Sequence, residues 1–153
     1  MNILFEKIIQ TKSIVLSSRP VWKCKSCPEY GIRPSCPPAV PSWQEAKEWL
    51  KSFNRAELIK FSIDMNNFMQ DKSNCISYLL EKEKLYFKEN NLYTFALFPG
   101  NCCLCEDCVC ESGKSCAKPT LVRPSIESIG IELNKLVDIN FQESVLYGMV
   151  LID

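Results

Sequence analysis

Ten cysteines and not one histidine stand in a chain of 153 residues. The absence of imidazole removes the Cys2His2 and Cys3His zinc sites, Ser–His and Cys–His catalysis, and the commonest general base. Any metal must then be held mainly by thiolate, with a carboxylate or an outside ligand as the remaining donors. All-thiolate sites favour iron–sulfur clusters or structural zinc. Met1–Lys12 does not read as an export signal, because Glu6 and Lys7 break its apolar start. The expectation is therefore a soluble cytoplasmic protein whose thiols bind metal rather than pair as disulfides. The apolar stretch Tyr93–Pro99 is far too short to span a bilayer.

Hydrophobic residues make up 46% of the chain and charged residues 24%, which is enough for an ordinary core. A metal is thus not needed merely to replace a missing core. Eighteen basic residues balance eighteen acidic ones, and no basic run marks a nucleic-acid surface. Neither a dinucleotide-binding glycine motif nor a P-loop occurs.

The cysteines fall into two groups. Cys102, Cys105 and Cys108 give C-x2-C-x2-C, and Cys116 follows eight positions later. The triple spacing lets a short loop turn around a cubane and present thiolates to different irons. Bacterial ferredoxins share the triple, but there the next cysteine follows sooner and is followed directly by proline. Here Pro119 comes three positions after Cys116, so the match is partial. Cys116 completes this site or serves a second cluster. Zinc is the main competitor, although its sites usually draw on separated cysteine pairs. Cys103 and Cys110 lie off the repeat, as packed thiols or substitute ligands.

Cys24, Cys27 and Cys36 form the other group, in a loop stiffened by Pro28, Gly31, Pro34, Pro37 and Pro38. Three thiolates are one short of a closed site. Either Cys75, Cys103, Cys110 or a carboxylate supplies the fourth ligand, or one position stays open to an exogenous ligand, the arrangement that makes a metal catalytic.

Three helices are predicted, over about Ser42–Phe53, Ser73–Glu89 and Ser125–Val137. Ser42 and Glu45 form a capping box, and Trp43, Ala46, Leu50 and Phe53 one apolar stripe. The stripe of the second helix is apolar except at Glu83. In the third, Ser125 is the cap, Glu127 sits in the first turn, and Ile126, Ile129, Leu133 and Leu136 are spaced for one face. Strands are expected at Glu57–Asp64, Leu92–Phe98 and Val145–Ile152, with another within Ile3–Leu16. The order strand–helix–strand over 57–98 suggests a βαβ-like crossover. The fold class is α+β (or α/β): one domain, residues 1–153, with a small central sheet, about three helices and two Cys-rich metal-binding loops. Trp22, Trp43 and Trp49 are expected to pack in the core or shield a cluster, and Tyr30 to pack against its loop.

These residues together resemble the DUF2284 family of cysteine-rich predicted metal-binding proteins, found largely in anaerobic archaea and bacteria. The matching pieces are C-x2-C-P-x-Y-G (Cys24–Gly31), S-C-P-P with a following proline (Ser35–Pro41), G-x-C-x2-C-x2-C (Gly100–Cys108), and C-x2-P leading to R-P-S-x-E-x2-G-I (Cys116–Ile131). The resemblance implies metal ligands at Cys24, Cys27, Cys36, Cys102, Cys105, Cys108 and Cys116. It leaves Cys75, Cys103 and Cys110 outside the pattern and supplies no reaction. Arg33 and Arg123 are candidates to face a cluster or an anionic ligand with their planar donor forks, the competing reading of Arg123 being a buried ion pair at a helix start. The cofactor expected is one or two 4Fe-4S clusters, with zinc as the alternative. The function expected is electron transfer with a redox partner protein. An enzyme with an open cluster at Cys24, Cys27 and Cys36 and a zinc-stabilised interaction module are the competing readings.

Overall fold

The computed structural model describes residues 1–153. Its centre is a four-stranded antiparallel sheet of β1 (Asn2–Gln10), β2 (Arg55–Ser62), β3 (Phe95–Leu97) and β4 (Val145–Ile152), in the spatial order β1-β2-β4-β3. The class is α+β. Both β2 and β3 run antiparallel to β4, so they are parallel to each other with β4 between them. The crossover expected over 57–98 is therefore present but split by a strand from the far end of the chain.

β2 reads Arg-Ala-Glu-Leu-Ile-Lys-Phe-Ser, nearly continuous rather than alternating, because both faces of the sheet are covered. Ala56, Leu58, Tyr147, Met149 and Leu151 face one core, shared with Ala46 and Leu50 of α2 (Trp43–Leu50) and with Ile126, Ile129, Ile131 and Leu133. Ile59, Phe61, Ala96 and Val150 face the other, against Cys75, Ile76, Leu79 and Leu80 of α3 (Phe68–Lys88). Each fully buried Leu, Ile, Val, Met or Phe among them contributes about 1.5–3 kcal/mol of transfer free energy. α3 lies so close to the sheet that a Cβ on Gly148 would stand 2.4 Å from a Leu79 methyl.

The capping box is formed: Ser42 Oγ accepts from the Glu45 amide, and the Glu45 carboxylate accepts from the Ser42 amide at 2.8 Å. Glu83, the polar exception on the stripe of α3, accepts from the Nε and Nη2 of Arg123 and from the Ala96 amide, tying the helix to β3. α3 begins earlier than expected, at Phe68, after a 3-10 turn (Met65–Asn67) capped by Asp64.

Two expectations need correction. Ser125–Val137 is not a helix. It is a pair of 3-10 turns, Glu127–Ile129 and Leu133–Lys135, separated by Gly130 at φ +93°. A Cβ there would stand 2.5 Å from Trp43 Cβ and 2.6 Å from the Ser17 carbonyl, so a side chain is excluded by both backbone conformation and space. Trp22 is 63% exposed, with Lys25 over its ring at 3.9 Å, and is not a core residue. Trp49 does pack, edge-on against Phe53 and Phe95. One helix was not anticipated: α1 (Ser18–Cys24), capped by Ser17, which ends on the first cysteine. No helix is long and apolar enough to cross a membrane.

Candidate metal centre

The loop after α1 is a chain of tight turns that hands one thiol to the next. The Cys27 amide donates to the Cys24 carbonyl, that of Tyr30 to Cys27, that of Cys36 to Arg33, and that of Gly31 to Pro37. The result is a cavity of about 290 Å³ lined by Cys24, Cys27, Cys36, Glu29, Tyr30 and Glu127, among others. Burial pushes the Cys24 thiol up from its ordinary value, aided by Cys36 and by the Glu127 charge. Burial also raises Cys36, against a hydrogen bond with Ser35.

Cys102, Cys105, Cys108 and Cys116 line a second, much tighter cavity, together with Cys110, Leu104 and Arg33. Gly113 at φ +73° closes the 3-10 turn Val109–Ser112 that carries Cys110. Burial raises Cys102. It pushes Cys108 up as well, but there hydrogen bonds from the Cys110 amide, the Arg33 guanidinium and the Cys110 thiol outweigh it, and the thiol falls below its ordinary value. Partial burial and donation to Cys108 push the Cys110 thiol the other way, to about 11.

The two loops meet. Arg33 donates from Nε to Glu29 at 2.5 Å and pairs with Glu111 across the join. The Cys102 amide donates to Ser35 Oγ at 2.7 Å, and Ser35, fully buried, accepts through its carbonyl from the Ser125 amide. Lys72 of α3 lies buried beneath the join, donating to Asn101 Oδ1, with Cys36, Cys102, Cys103 and Glu29 as charged or ionisable neighbours. Burial lowers its ammonium pKa, opposed by those same groups. Arg123 is elsewhere: besides Glu83 it bonds the carbonyls of Thr120 and Val122 and stacks over Phe95 at 4.7 Å. It lines neither thiol cavity, and the ion-pair reading describes its surroundings. Cys75 is fully buried on α3, and burial raises its thiol to about 12.

A family profile for DUF2284, described as a predicted metal-binding protein, matches residues 7–150. The chain belongs to the DUF2284 family. No curated protein and no solved structure matches it. As a DUF2284 protein it is a cysteine-rich predicted metal binder, and its donor set suits that description: all ten cysteines are free thiols. Five of them share one cavity and three share another with two carboxylates, a soft, thiolate-rich set that suits zinc or iron–sulfur clusters and not magnesium or calcium. No three Cys, Asp or Glu side chains yet converge tightly enough to grip a single ion, so a bound metal would have to draw its thiolates together. Sequence reasoning passed over Lys72 and gave Ser35 no role beyond its place in the S-C-P-P motif; both act through contacts between distant segments. It placed Glu127 at a helix start rather than in a thiol-lined cavity.

Proposed function

We propose that this protein is an iron–sulfur protein that passes electrons to or from a protein partner. Cys102, Cys105, Cys108 and Cys116 would hold one 4Fe-4S cluster, and Cys24, Cys27 and Cys36 a second. The observation that carries this reading is the adjacency of two thiol-lined cavities, joined through Arg33 and Ser35. Two neighbouring clusters supply a one-electron relay, and a histidine-free chain with no nucleotide motif has little else with which to do redox work. The chain's own contribution is the Arg33 guanidinium and the buried Lys72 ammonium, which offset the negative charge that seven thiolates would bring into one region.

The test is anaerobic purification with iron, acid-labile sulfide and zinc counts, followed by reduction with dithionite. A brown protein that bleaches reversibly supports the reading. A colourless protein holding only zinc overturns it in favour of a zinc-stabilised module. A second reading is favoured by the volume of the first cavity: with about 290 Å³ beside only three thiols, a metal there has room for an outside ligand and could act as a Lewis acid. A change in cluster spectrum on adding small thiols or carboxylates would separate this enzyme reading from simple electron transfer.

A further inference from the structure

The first cavity contains two carboxylates besides its three thiols, Glu29 and Glu127. They are not equivalent. Glu29 is committed to Arg33, with Nε at 2.5 Å. Glu127 is a partly buried carboxylate with no ion-pair partner and no hydrogen bond beyond its own amide. A charge withdrawn from water without a partner is costly, and fixed carboxylates of this kind are normally paired or metal-bound.

Glu127 is also held in place by more than its own turn. Its 3-10 turn packs on α1, whose last residue is Cys24. The Ser17 amide donates to the Gly130 carbonyl at 2.9 Å, and Gly130 has no room for a side chain against Ser17 and Trp43. On the other side, the Ser125 amide bonds the carbonyl of Ser35, the residue before Cys36. One clamp therefore sets Glu127 relative to Cys24 and another sets it relative to Cys36. The remaining candidates are placed elsewhere: Cys110 in the second cavity, Cys75 in the core under α3, and Cys103 packed beside that same core.

We infer that Glu127 is the fourth protein ligand of the metal site built on Cys24, Cys27 and Cys36, making it a three-thiolate, one-carboxylate centre. The inference rests on the metal-site reading of those three cysteines and deepens it. A carboxylate oxygen is a harder and more readily displaced donor than thiolate, so the metal it holds is the one exchangeable position in the molecule.

The test compares the full chain with Glu127→Gln, Glu127→Ala and Glu127→Cys, all reconstituted anaerobically with iron and sulfide, by metal count, electron paramagnetic resonance and Mössbauer spectroscopy. Circular dichroism of each variant checks the fold, and Gln keeps the shape of the side chain. Two four-iron clusters correspond to about eight irons per chain. The expected result is loss of about one iron in the Ala variant, with the resonance of a three-iron cluster, and recovery of the full count with an all-thiolate spectrum in the Cys variant. Ala and Gln variants that keep the full count and the unperturbed Mössbauer spectrum would overturn the inference. If the unmodified chain takes up zinc only, the iron–sulfur reading fails separately. Glu127 is then judged by zinc stoichiometry: loss of one tightly held zinc in the Ala variant supports the ligand, and an unchanged count rejects it.

Discussion

At Cys108 two influences oppose each other, and the hydrogen bonds win. The Arg33 guanidinium reaches over from the other cysteine loop and favours the thiolate, while neighbouring Cys110 keeps its proton. In chelator-treated protein at neutral pH, Cys108 should therefore alkylate faster than Cys110. Arg33→Leu should slow Cys108 by about threefold to tenfold, because fewer molecules carry the thiolate; mass spectrometry of the labelled peptides reads both sites. Residue-scale chemistry of this kind was only half legible. Arg33 stood out as a cation inside a cysteine loop, but its partner Glu111 lies 78 positions away and no local pattern connects them. Arg123 looked equivalent on paper and is spent on Glu83. Glu127 fitted the rule for acidic residues in a first helical turn, and that rule concealed the better question of what else the carboxylate faces.

The elements followed the sequence where local signals agreed with tertiary ones. Ser42 and Glu45 announced α2, while the single Glu83 in the stripe of α3 was only an exception until the structure set Arg123 against it. The Ser125–Val137 segment misled because Ile126, Ile129 and Leu133 are buried as a helix would bury them, yet Ile131, off that stripe, is buried as well. Burial on every side belongs to a chain threading between α1, α2 and the sheet, and Gly130 is the residue that permits it. α1 was missed because seven residues with Pro20 among them and none buried carry no periodic signal. The close packing of α3 on β4 gives a test at this scale. Gly148→Ala should destabilise the protein by about 1–3 kcal/mol through overpacking against Leu79. In Leu79→Ala the same substitution should cost much less, a coupling that urea denaturation of the four proteins of the cycle would measure.

For the whole molecule, burial raises the thiols of Cys24, Cys36 and Cys102, whereas metal takes thiolate. Those groups carry protons at neutral pH, and as the metal ligands proposed above they would release them on binding. Metal affinity should therefore fall as pH falls, by about tenfold per unit for each proton released. Cadmium titrations at pH 6.5 and 7.5, followed by thiolate absorption, should show this weakening, and unchanged affinity would contradict it. The join between the loops has its own consequence. Arg33 can satisfy Glu29, Glu111 and Cys108 together only while both loops are in place, and Ser35 can cap the Cys102 amide only from its position beside Cys36. Ordering one loop thus lowers the entropy still to be lost in ordering the other. If metal fills both proposed centres, occupancy of one should aid occupancy of the other, and by thermodynamic reciprocity by the same factor in either order.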